Sequence, residues 1–172
     1  MAITVKQIKP KKLNTPAMQK AIAAEMKAFG KDMKKEFEKT TRTWEHKVVF
    51  ERLEEISPDL GKVEVAVLTD DEIYRYVDEG TKGPYKIPKF VTPGKRLAFR
   101  TGKYGAKTSP GVISSSAGSQ PSGPWTRPQQ VTHPGIKARE FDKTIQAYME
   151  PRFRRRMETA MKKAAAASGH KI

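Results

Sequence analysis

"TDDEIYRYVDEGT", residues 69–81, is the stretch on which the fold turns. Thr69 followed three residues later by Glu72 is a capping box, and Asp70 and Asp71 sit at the positive end of the helix dipole that it opens. Gly80 closes the helix, because glycine adopts the left-handed C-terminal conformation without a Cβ penalty. Ile73, Tyr76 and Val77 form its expected buried face, while Asp78 and Glu79 read as surface or interface charges beside Lys82 and Lys86.

On the N-terminal side the pattern has period two. In "TWEHKVVFER" (43–52), Trp44, His46, Val48 and Phe50 share one face and Glu45, Lys47 and Glu51 the other, as in a half-buried strand. "SPDLG" (57–61) supplies turn chemistry, and "KVEVAVL" (62–68) gives a second strand with Val63, Val65 and Val67 inward. The two are expected to form an antiparallel hairpin. Before them, Thr15-Pro16 starts a helix over 16–40, with Met18, Ile22, Met26, Phe29, Met33 and Phe37 as its apolar stripe. Residues 1–14 read as an N-terminal arm.

On the C-terminal side, "KGPYKIPKFVTPGKRLAFR" (82–100) predicts two extended pieces, 84–88 and 96–100, joined by a Pro-Gly turn. Residues 101–132 are rich in Gly, Ser, Pro and Thr, with no carboxylate. So long a loop predicts an arm or hairpin, ordered by a neighbouring subunit. The last helix runs over 139–167, with Phe141, Ile145, Tyr148, Met149, Phe153, Met157 and Met161 on its apolar side and Pro151 kinking or splitting it. Residues 166–172 form a fraying tail. The sum is an α+β chain of 172 residues, read as a single domain: a small, mostly antiparallel sheet packed by long N- and C-terminal helices, with a basic arm inserted.

Charge narrows the function classes. The formal net charge is +15, but residues 41–100 balance 11 bases against 11 acids, so the excess lies in the flanks. Such an excess suits nucleic acid or an acidic protein surface. Aromatic residues interleaved with cations occur only sparsely, in "KYGAK" (103–107) and "PWTRP" (124–128), and support non-specific phosphate contact without sequence readout. No cysteine is present, which removes disulfides and thiolate metal sites and points to an intracellular folding compartment. No apolar run would span a bilayer, and the first twelve residues lack the apolar centre of a signal peptide.

Catalytic signatures are missing from the pattern. His46, His133 and His170 have no metal-ligand spacing, and no phosphate loop, nucleophile elbow or zinc signature occurs. The acids at 70–72 are those that a helix start favours. The sequence therefore predicts no enzyme and no cofactor.

Three segments in order carry a resemblance: Tyr76, Val77, Glu79, Gly80 and Thr81; then Pro88, Lys89, Leu97 and Phe99; then His133, Pro134, Gly135, Ala138, Arg139 and Phe141. Over residues 16–165 the chain resembles the tail-component or tail-completion family of long-tailed double-stranded DNA phages. The resemblance implies a structural virion protein that completes or terminates the tail and joins it to the head, as one subunit of a ring of six copies. The implied partners are further copies of itself, the head-to-tail connector or stopper protein, the tail tube protein and, non-specifically, DNA in the channel, with no membrane. The implied location is the neck of the virion, after assembly in the host cytoplasm. Within it, Lys103, Lys107, Arg127, Arg152, Arg154, Arg155 and Arg156 are the expected channel or partner contacts, and His133, Pro134 and Gly135 form a structural corner. The alternative is a non-specific DNA-binding protein that uses the basic helices and arm directly.

Overall fold

The computed structural model describes residues 15–57, 63–92, 95–167 and 169–170. The expected N-terminal arm and both turns, around 58–62 and 93–94, lie outside the described residues. Three helices, α1 (Thr15–Thr41), α2 (Glu72–Asp78) and α3 (Phe141–Ala167), combine with eight short strands. These are β1 (Glu51–Ile56), β2 (Val63–Leu68), β3 (Thr81–Pro88), β4 (Phe90–Thr92), β5 (Lys95–Arg96), β6 (Phe99–Arg100), β7 (Trp125–Thr126) and β8 (Gln130–Ile136). The class is α+β, with long helices near both ends. In place of one sheet, the described strands form four antiparallel pairs: β1–β2, β3–β8, β4–β5 and β6–β7.

The core is aromatic and lies where α1, α2 and α3 meet. Phe29, Phe50, Tyr74, Phe141, Ile145 and Met149 are buried together, with Met33, Phe37, Trp44, Val48, Val65 and Val67 packed around them. Phe50 meets Tyr74 edge-on at 5.1 Å, and Tyr74 lies 5.9 Å from Phe141. The α1 stripe behaves as its spacing requires, with Met18, Ile22, Met26 and Phe29 buried.

Several local expectations are corrected. The first strand begins at Glu51, and residues 45–50 run to it as irregular chain; Trp44, Val48 and Phe50 still face the core, but His46 is exposed and pairs with Asp71. The N-cap of α2 is Asp71, whose carboxylate accepts from the Tyr74 N–H at 2.7 Å, while Thr69 Oγ1 accepts from the Asp71 N–H. The cap lies two residues later than the expected Thr69, and the helix turns Tyr74, Val77 and Asp78 inward and leaves Ile73 and Tyr76 exposed. Helix α3 continues through Pro151 without splitting. Its second half buries Ala160, Ala164 and Ala165, and Tyr148 and Met161 are exposed. Beyond Ala167, the N–H groups of Gly169 and His170 donate to the Ala166 and Ala165 carbonyls.

The carboxylate-free tract is a folded hairpin. From β6–β7 it continues through Thr101–Pro124, Gly105–Ser119 and Thr108–Ser115 pairings. Its tip docks on its own chain: Ser115 Oγ donates to the Lys39 carbonyl and accepts from the Thr43 N–H, and Ile113 packs against the core. These contacts stand where a neighbouring subunit was expected to order the tract. Its end is not loop at all, since Gln130–Ile136 is β8.

Candidate functional site at the meeting of the motifs

Two of the three motif segments come together at one junction. Thr81 is the register partner of Ile136, and its Oγ1 accepts from the Ile136 N–H at 2.9 Å. Gly80, at φ 78°, lets β8 pass: a Cβ there would stand 2.7 Å from both the Ala138 nitrogen and the Ile136 oxygen. That observation gives the glycine two reasons, conformation and clearance.

The same junction starts α3. Arg139 N–H donates to the Val77 and Asp78 carbonyls, and Glu140 N–H donates to the Asp78 carbonyl. Phe141 N–H donates to Asp78 Oδ1 at 2.5 Å. Asp78 therefore caps a helix that begins 63 residues later, although it was expected at the surface. It is only 8 % exposed. Burial, reinforced by the nearby Asp142, holds its carboxyl above the ordinary range, opposed by the backbone N–H groups of Phe141 and Asp142. At Asp71 the balance is reversed: burial would raise its pKa, but the Tyr74 N–H and His46 outweigh it and lower it. Arg139 also ties in the hairpin, with Nε donating to Thr108 Oγ1 at 3.3 Å and its carbonyl accepting from Gly111 N–H.

His133 makes two contacts within the β3–β8 pair. Its Nδ1 accepts from the Gly135 N–H at 3.0 Å, and its ring stacks on Tyr85 at 4.8 Å. Pro134 and Gly135 do not end the strand; they form the irregular part of β8, opposite the register shift between Lys82 and Tyr85. Gly135, at φ 96°, lies where a Cβ would collide with the Thr81 carbonyl. The middle motif is not part of the junction. Pro88 pairs with Gln130 at the far end of β3–β8, Leu97 N–H donates to the Lys89 carbonyl, and Phe99 pairs with Thr126. Tyr76 and Glu79 are exposed beside the junction, and Val77 packs inward.

The seven expected cations divide. Arg156 is committed to the fold: it bonds Glu25 and Asp32 on α1 and lies 5.5 Å over the Phe29 ring. Lys107 donates to the Thr43 carbonyl at 3.1 Å, which fastens the hairpin. Arg154 pairs with Glu150 one turn away. Arg152 lies over the Tyr148 ring at 3.8 Å and is exposed, as are Arg155, Lys103 and Arg127. Arg152 and Arg155 border a cavity of about 400 Å³ that also holds Lys35, Lys39, Asp32 and Glu36, so its charge is mixed.

Among the described residues, no group of three or more His, Asp or Glu could hold a metal ion, and no helix is long and apolar enough to cross a membrane. In comparison with known proteins, no family model, no curated protein and no solved structure matches the chain.

Proposed function

We propose that this chain is a structural subunit of a phage virion that completes or terminates the tail and joins it to the head connector, as one protomer of a hexameric ring. The observation that supports this reading most is how the motif residues are used. Val77, Gly80, Thr81, Gly135, Arg139 and Phe141 are spent on clearance, capping and packing, and Asp78, a buried carboxylate beside the motif residues, serves a backbone N–H group. Residues so used act through shape, as a ring subunit does.

An assembly also needs a seat for a neighbour. A groove of about 330 Å³ lies between α1, β2 and α3, lined by Phe29, Met33, Phe37, Val65, Val67 and Phe153 among others. Strands β1 and β2 pair only with each other among the described residues, which leaves each with one edge open to β-augmentation. The connector or stopper protein on one side and the tail tube protein on the other are the partners this reading requires, with the channel DNA held non-specifically. Imaging of virions, or of tails purified from a lysate, tests it: six copies at the head-to-tail joint are expected, and absence from the particle rejects it.

A second reading, DNA binding through the basic helices, draws on the net charge of +15. It requires duplex binding that weakens steeply with salt, and the ties of Arg156 and Arg154 to carboxylates remove two of its cations.

A further inference from the structure

Residues 81–139 contain no aspartate or glutamate, against eleven Lys and Arg. The fold gathers this stretch into the β3–β8 and β6–β7 pairs and the long hairpin, so the acid-free tract becomes an acid-free β lobe. Lys82, Lys86, Lys95, Arg96, Lys103 and Arg127 are exposed on it.

The two most exposed aromatic rings among the described residues also lie on the lobe. Trp125 is 65 % exposed and Tyr104 61 %. Phe99, Arg100, Tyr104 and Trp125 line one shallow groove of about 870 Å³, and the Arg100 guanidinium lies 5.2 Å from the centre of the Trp125 ring. Gln120 adds a neutral side chain to its wall. Two requirements of a polyanion with flat apolar faces are thus met at one place: cations without local carboxylates to compete, and rings on which a planar group can stack.

We propose that this groove binds single-stranded nucleic acid, with unpaired bases stacking on Trp125 and Tyr104 and the phosphates running past Arg100, Lys103 and Arg127. A duplex keeps its bases stacked inside and offers the rings only its backbone, and an acidic peptide offers charge without planar faces. The aromatic content of the groove therefore favours unpaired nucleotides over both. This inference stands apart from the ring reading, because it rests on the lobe and not on the motif junction.

The test uses the full chain and a fluorescently labelled oligothymidine of about 12 nucleotides, within the range one such site covers. Anisotropy is followed across a salt series, against a duplex of equal length and against polyglutamate as competitor. Binding at least tenfold tighter to the single strand is expected, together with quenching of tryptophan fluorescence, since Trp44 packs on the core and Trp125 is open. Trp125→Ala and Tyr104→Ala should each weaken binding about tenfold or more, Trp125→Phe should retain most of it, and Lys162→Ala on α3 should leave it unchanged. Equal or tighter duplex binding, displacement by polyglutamate at matched charge, or aromatic variants that bind like the parent would each overturn the proposal. The particle-imaging result bears on none of these outcomes.

Discussion

The helical body and the β lobe are built from the same chain by different means. In the body, side chains do the holding: an aromatic core, carboxylates that cap helices, and a guanidinium clamped between Glu25 and Asp32. In the lobe the backbone does most of it, through ladders, a bulge on β3 between Lys82 and Tyr85 and close passages that only a glycine allows. A body of paired charges beside a lobe of unbalanced ones teaches that the net charge of the chain is not spread over its surface. Residues 81–139 carry +11 of the chain's +15.

The largest effect that would break this contrast is expected at Phe141, which is fully buried at the centre of the body. Phe141→Ala should cost about 3–5 kcal/mol in denaturant unfolding. If the lobe truly depends on backbone geometry, Gly135→Ala should come next, at about 1–3 kcal/mol, because it combines a positive φ with a collision against Thr81. Loss of the Tyr85–His133 ring contact in NMR, with the core aromatic signals intact, would show that the damage stays in the lobe.

The two capping carboxylates sharpen the comparison through pH. Asp71 has a lowered pKa in the folded state, so its contribution is present above the ordinary carboxylate value of roughly 3.9 and is lost as pH falls below it. Asp78 has a raised pKa, so its protonated form favours folding, and that gain is lost as pH rises through the elevated value. Asp78→Ala should destabilise by about 1–3 kcal/mol, since it strands the Phe141 N–H. Asp78→Asn keeps an acceptor and removes the buried charge; it should match or exceed the parent near neutrality, measured by thermal unfolding at several pH values. Asp71→Ala should cost about 1 kcal/mol.

The smallest effects test the cations. Arg156→Ala should cost at most about 1 kcal/mol, and less in high salt, because its side chain is a third exposed. Arg154→Ala, an exposed pair within one helix, should stay within about 0.5 kcal/mol.

How much of this could be read from residues alone depends on sequence distance. The stripe of α1, the first half of that of α3 at Phe141, Ile145 and Met149, the valines of β2 and the closing role of Gly80 are local, and their spacing specifies them. The inner face of α2 lies one residue on from the expected one: Val77 is common to both, but Tyr74 and Asp78 take the places of Ile73 and Tyr76, because the rings and the α3 N-terminus that they meet come from distant parts of the chain. The start of β1 was misread because the alternation of Trp44, Val48 and Phe50 marks burial and not pairing. Asp78 carried no local signal at all: an acid after a short helix looks solvated until the helix that it caps arrives 63 residues on. For the lobe, the absence of carboxylates was visible, but the single groove that collects Phe99, Tyr104 and Trp125 exists only once β6 pairs with β7.

Ser115 joins the two regions in a way that has a kinetic meaning. Its hydroxyl binds both the Lys39 carbonyl and the Thr43 N–H, so the end of α1 is completed by a residue more than seventy positions away. Opening of the hairpin and fraying of the last turn of α1 are then one event. The Thr43 amide, which donates to that hydroxyl, should exchange with deuterium at the rate at which the hairpin lifts, so a single proton on the body keeps time for the lobe.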